Sequence, residues 1–162
     1  MELIEKILCE ENLQKAIRKV KKNKGASGVD KMTVQEVEEW FNQYKEDLIS
    51  KILNKQYKPM PVKRVYIPKP NGKQRPLGIP TVVDRVIQQA MLQVLSEIYE
   101  PVFSEHSYGF RPNRSAHMAM EEVLSYLNEG YEWIVDLDIE KFFDTVNHDK
   151  LISILRERVN DS

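Results

Sequence analysis

At 162 residues the chain fits one domain that buries roughly two-thirds of its unfolded surface. Its 41% apolar and 30% charged content is that of a soluble globular protein, and no run approaches the roughly 20 apolar residues of a membrane helix. The start MELIEKILCEEN is too charged for a secretion signal, the lone Cys9 cannot close an internal disulfide, and a reducing cytoplasm is the expected compartment.

In chain order, apolar positions Ile4, Ile7, Leu8, Leu13, Ile17 and Val20 predict a helix over 3–21. NKGASGVDKMT, with two glycines and no periodicity, predicts a loop. Thr33 with Glu36 reads as a capping box that opens a second helix reaching about Leu53. Val62, Val65 and Ile67, then Pro70-Asn71-Gly72 and a short second run, predict a β-hairpin. Thr81 can cap the next helix, whose stripe is the cleanest in the chain: Val83, Val86, Ile87, Ala90, Met91, Val94, Leu95 and Ile98. Pro101 stops it. FSEHSYGFRPNRS is irregular, a helix follows over Ser115–Leu127, WIVDLDI reads as a buried strand, and HDKLISILRERV as a final helix. The expected class is α+β, helix-rich with a β-hairpin and an incomplete sheet.

The net charge of −1 decides nothing, but its distribution does. KAIRKVKKNK carries six basic side chains and no acid, PVKRVYIPKPNGKQR five and none, and the acids gather in VQEVEEW and YKED. Segregated charge suits a nucleic-acid backbone, with Lys21, Lys22, Lys24, Lys63 and Arg64 as candidate contacts. The plain alternative is a solvated basic face. Arg111 and Arg114 sit among Tyr108 and Phe110, an arrangement suited to phosphate contacts beside stacking rings. His106, His117 and His148 have no metal-like spacing, so zinc is not expected.

In IVDLDIEKFFDTV, alternation puts Asp136 and Asp138 on one strand face and Val135, Leu137 and Ile139 on the other. An ionised carboxylate on a buried strand is costly unless exposed, paired or metal-bound. Magnesium prefers such oxygens together with substrate phosphates, which suits phosphoryl transfer. The alternative is a wet strand face, with Asp144 or Asn147 capping the following helix.

DIEKFFDTVNHDKL resembles the first aspartate motif of reverse transcriptases, most closely those encoded by bacterial group II introns, mobile elements whose protein is both polymerase and maturase. KGASGVDKMT is similar to the loop upstream of that family's fingers, IPKPNGKQRPLGIPTVVDRVIQQA to its first fingers block, and SEHSYGFRPNRSAHMA to its second. The resemblance implies fingers with an N-terminal helical extension over 1–130 and the beginning of the palm over 131–162. It implies Mg²⁺ (two ions in the complete enzyme), held by the Asp138 carboxylate and the Ile139 carbonyl, and leaves Asp136 dispensable. Lys69 and Arg75 would reach the incoming triphosphate, where a point charge and a bidentate guanidinium offset phosphate charge. The alternative is a pair of cations solubilising a hairpin tip. Phe143, beside Phe142 in the nucleotide pocket, would be the steric gate against a 2′-hydroxyl; its alternative is core packing.

The implied activity is RNA-directed DNA synthesis: a primer 3′-hydroxyl attacks the α-phosphate of a deoxynucleoside triphosphate and pyrophosphate leaves. The implied partners are RNA template, intron RNA, primer DNA and deoxynucleotides, with no membrane; a homodimer stays open. No aromatic-Ala-Asp-Asp sequence occurs before Ser162, so the chain is expected to be the front of a longer enzyme and inactive alone. Two competing readings remain, an RNA-binding maturase module and a reverse transcriptase of the retron or defence type.

Overall fold

The computed structural model describes residues 2–68, 70 and 72–159. The chain divides into two compact units between Ser96 and Glu97. That division by compactness falls well before residue 130.

The first unit begins with α1 (Leu3–Leu8) and α2 (Glu10–Lys22). The single helix expected over 3–21 is therefore two, broken at Cys9, whose φ of −62° and ψ of 148° are extended. The Asn12 side chain takes over at the break, donating to the Ile7 carbonyl at 2.8 Å and to the Ala90 carbonyl at 3.0 Å. Within α2, Leu13, Ala16, Ile17 and Val20 are buried, one face of a 3.6-residue period. Acids in its first turn and lysines in its last complement the helix dipole.

The second helix, α3, spans Val37–Leu53. Half of the expected capping box forms: the Glu36 carboxylate accepts from the Thr33 N–H at 2.7 Å. The Thr33 hydroxyl also donates to that carboxylate, at 2.7 Å, instead of accepting from the helix. The first helical residue is accordingly Val37, not one next to Thr33.

The hairpin forms as expected. Strand β1 (Lys63–Pro68) pairs antiparallel with β2 (Gln74–Ile79), placing Ile67 opposite Arg75 and Lys63 opposite Ile79. Gly72 turns the tip at φ +77°, a conformation that favours glycine. Both strands are exposed along nearly their whole length. Helix α4 (Val82–Tyr99) follows, with the Thr81 hydroxyl accepting from the Asp84 N–H at 3.2 Å. Of its predicted stripe, Val86 and Ala90 are buried and Val83, Ile87 and Val94 partly so, while Met91 is exposed.

The core of the described residues lies wholly in this unit: Ile7, Leu13, Ile17, Val37, Phe41, Leu48, Val82 and Val86 belong to one apolar cluster.

In the second unit a 3₁₀ turn (Glu100–Val102) with Pro101 inside it ends α4. Helix α5 (Ala116–Asn128) is capped by Ser115, which accepts from the Met118 N–H. Helix α6 (Phe142–Thr145) is a single turn, and α7 (His148–Arg156) is capped by Asn147, which accepts from the Lys150 N–H at 2.9 Å. The buried strand expected at 133–139 is absent. Those residues carry neither helix nor strand, and Trp133, Val135 and Leu137 are 95%, 81% and 88% exposed. A strand needs a neighbour to take up its N–H and C=O groups, and the only sheet among the described residues is the hairpin. The class stands as expected: helix-rich with one two-stranded antiparallel sheet. No described helix is long and apolar enough to cross a membrane.

Candidate nucleotide and nucleic-acid site

The hairpin sorts its cations by face. Residues directly opposite share a face, so Lys63 and Arg75 lie on one side with Val65, Ile67, Leu77 and Ile79. Arg64 lies on the other with Tyr66. Lys63 and Arg75 sit at opposite ends of their shared face, about 13 Å apart along the strands. Arg75, next to the tip, is exposed and makes no ion pair with a described residue. Lys69 lies outside the described residues.

The N-terminal basic run splits in two. Lys21 reaches across to α3 and pairs with Glu38 at 2.7 Å, so it braces two helices with its charge already met. Lys22 and Lys24 are exposed and pair with no described acid. Lys45, not a candidate from the sequence, bonds Glu10 at 2.5 Å; that hydrogen bond holds the Glu10 carboxyl below the usual carboxylate range and raises the Lys45 ammonium.

Arg111 and Arg114 part company as well. The Arg111 guanidinium is 8% exposed and spends its donors inside the unit. It bonds Glu100 Oε1 through Nε at 3.0 Å and Nη2 at 2.8 Å, and the carbonyls of Ser104 and Ser107 through Nη1 at 2.6 and 2.9 Å. Its carbon centre stands 5.3 Å from the Phe103 ring centroid. This arginine closes the loop 100–111 in this structure and offers no free donor edge. Arg114, half-buried, stands 5.5 Å over the Tyr108 ring and has no ion pair with a described residue.

On the carboxylate segment, Asp136 and Asp138 are both exposed, without an ion-pair partner among the described residues. Lys141 adopts a left-handed φ of 51°, which turns the chain into the FFDT helical turn. Phe143 is 86% exposed, and its ring meets that of Phe142 edge-on at 5.5 Å. Core packing, the alternative for Phe143, is not what it does among these residues. Ile139 is exposed too. Asp144 lies inside the short helix, its N–H donating to the Lys141 carbonyl at 2.8 Å.

The donors fit magnesium in kind, being hard oxygens, but not in number. No group of three or more His, Cys, Asp or Glu among the described residues comes together to hold a metal.

Sequence reasoning missed the polar junction at the hairpin root. Asp84 is 4% exposed, and its carboxylate accepts from the Tyr57 hydroxyl, from the Thr81 hydroxyl at 2.6 Å and from the Met60 N–H at 3.2 Å. The signal was present: Thr81 with an acid three residues on is the pattern of a reciprocal helix cap.

Residues 67–161 match the family of reverse transcriptases (RNA-dependent DNA polymerases), and the chain belongs to it. The resemblance carried by DIEKFFDTVNHDKL and the two upstream blocks is thereby borne out. Among its relatives is the group II intron-encoded protein LtrA of Lactococcus lactis, 40% identical over 141 residues, 86% of this chain and 23% of that protein. Protein YkfC of Escherichia coli is 44% identical over 119 residues, 71% of this chain and 31% of that one. A putative COX1/OXI3 intron 2 protein of Saccharomyces cerevisiae is 34% identical over 149 residues, 90% of this chain and 17% of that one. The chain thus spans less than a third of the length of each.

Proposed function

We propose that the protein carrying this chain is an RNA-directed DNA polymerase of the group II intron type, also serving as a maturase. In this reading residues 1–130 are fingers and 131–162 begin the palm. The observation that carries it is the family match over 67–161, which contains the second strand of the hairpin with Arg75 and the Asp138 segment. Arg75, with Lys69, faces the triphosphate of a deoxynucleotide; Phe143, beside Phe142, screens the sugar; Asp138 and the Ile139 carbonyl offer oxygens to magnesium. Bound magnesium would supply charge neutralisation at the reacting phosphate. One carboxylate and one carbonyl are fewer ligands than two ions need, so these 162 residues alone are expected to be silent in DNA synthesis. The exposed apolar residues from Trp133 to Ile154 fit a stretch that packs within a larger polymerase.

The test is RNA-templated deoxynucleotide incorporation by the gene product that carries this sequence. Asp138→Asn should bring incorporation to background and Arg75→Ala should raise the KM for deoxynucleotide. Full activity in Asp138→Asn would refute the assignment.

Intron RNA docking is a second reading, favoured by the exposed Lys22 and Lys24, which pair with no acid among the described residues, and by the intron-protein names of the relatives. Here Lys22, Lys24, Lys63, Arg64 and Arg114 meet phosphates, and Asp138→Asn leaves RNA affinity unchanged. Cytoplasmic placement, a DNA primer and a homodimer belong to the same proposal.

A further inference from the structure

The hairpin is exposed on both faces, so it takes no direction from core packing, and an isolated two-stranded ribbon is only marginally stable. Its direction has to come from its roots. Met60 lies just ahead of β1 and Thr81 just after β2, and one buried carboxylate holds both. Asp84 accepts from the Met60 N–H at 3.2 Å and the Thr81 hydroxyl at 2.6 Å, and the Tyr57 phenol bonds the same group from the chain entering β1. A buried charge is retained only when hydrogen-bonded, and these three donors meet that need.

The same turn of α4 also holds the loop 24–31. Arg85 donates through Nη2 to the Ala26 carbonyl at 2.6 Å. Gly28 lies so close to the exit of β2 that an added Cβ would stand 2.7 Å from Thr81 Cα and 3.0 Å from the Pro80 carbonyl oxygen. Loop, hairpin entry and hairpin exit therefore meet at one helix start, with Asp84 at its buried centre.

We infer that Asp84 is a positioning residue: it fixes the direction in which the hairpin, and with it Arg75, projects from the first unit. Asp84 itself touches no substrate. The consequence for nucleotide handling rests on the polymerase reading above, whereas the geometry does not, and the two fail separately.

Spin-label distances in the 162-residue chain test it. In a Cys9→Ser background, one label pair joins the hairpin to α3 (Gln74→Cys with Gln43→Cys), and a control pair joins α3 to α4 (Gln43→Cys with Gln88→Cys). Asp84→Asn is expected to broaden the hairpin-to-α3 distribution roughly twofold while the control pair stays narrow. Tyr57→Phe, which keeps the carboxylate and the cap, is expected to broaden it less, and it decides the matter if Asp84→Asn does not fold. Unchanged hairpin widths, or equal broadening of both pairs, would overturn the inference, the latter by reducing Asp84 to a general stabiliser. In the longer gene product that carries this sequence, loss of RNA-templated incorporation in Asp84→Asn without a change in hairpin width would count against it as well.

Discussion

Arg111 grips Glu100 with two nitrogens on one carboxylate oxygen, Nε at 3.0 Å and Nη2 at 2.8 Å, inside a loop that also feeds it two backbone carbonyls on Nη1. A guanidinium so engaged is a brace before it is a ligand. Arg111→Lys keeps the charge and loses the fork, leaving carbonyls and a carboxylate short of donors. It should cost about 2 kcal/mol of stability by urea unfolding, with RNA affinity altered less than tenfold at temperatures where the variant is folded. An unchanged unfolding midpoint with lost RNA binding would instead make Arg111 a phosphate contact.

The lysines of α2 and the following loop should separate in the same way. Lys21 has Glu38 at 2.7 Å, whereas Lys22 and Lys24 have no described acid beside them. Each phosphate contact contributes one released counterion, so Lys22→Ala and Lys24→Ala should each flatten the slope of log affinity against log salt for structured intron RNA by about 1. Lys21→Ala should leave that slope nearly untouched. A slope loss confined to Lys21→Ala would reverse the assignment.

The hairpin, the helix over 82–99 and the cap at Asn147 could be read from the sequence because each is a local device: a turn glycine, a period, a side chain reaching its own backbone. The strand over 133–139 could not. Its alternation is real, but a strand is completed by partners, and no described strand runs beside Asp136 and Asp138. The candidate site divides along the same line. Arg75 and Asp138 stand in local motifs, whereas Arg111 and Lys21 turned on acids, Glu100 and Glu38, that only folding brings near. Asp84 combined the two. Its cap with Thr81 was legible, and its bonds to Tyr57 and Met60 were not, since no local rule links those positions.

Tyr57 offers a pH readout of that junction. Burial, then its hydrogen bond to Asp84, pushes the phenol well above its ordinary range. A raised folded-state value favours the neutral phenol, so its stabilising contribution is fully present below about pH 10, where the unfolded chain begins to ionise, and is lost as pH rises towards the folded value. Absorbance titration near 295 nm should lose its most alkaline tyrosine component in Tyr57→Phe. The alkaline fall in stability should be shallower in that variant; an identical titration curve would remove Tyr57 from the junction.

Gly28 is where loop and hairpin root approach most closely. An alanine methyl there would lie 2.7 Å from Thr81 Cα and 2.9 Å from its nitrogen, both backbone atoms that cannot rotate away. Gly28→Ala should therefore destabilise the first unit by about 1–3 kcal/mol, the cost of overpacking. Gly109→Ala, with nothing within 4 Å of the added carbon, should cost far less. Equal unfolding midpoints for the two variants would mean that the loop 24–31 does not press on Thr81 in solution.

The two tryptophans report on the two units separately. Trp40 packs against the core of the first unit between Phe41 and Tyr44, each ring centroid 5.3 Å away, whereas Trp133 is 95% exposed. Acrylamide should quench the chain's emission in two phases, and Trp133→Phe should remove the readily quenched, red-shifted phase alone. The exposed Val135, Leu137, Ile139 and Phe143 beside it form an apolar stretch of the kind that seeks cover. In a longer gene product carrying this sequence, the readily quenched phase should shrink, because the polymerase reading buries the 133–139 segment among further palm strands. Persistence of full quenching at Trp133 in such a product would leave Asp138 on an unsupported segment and remove the structural basis for its catalytic assignment.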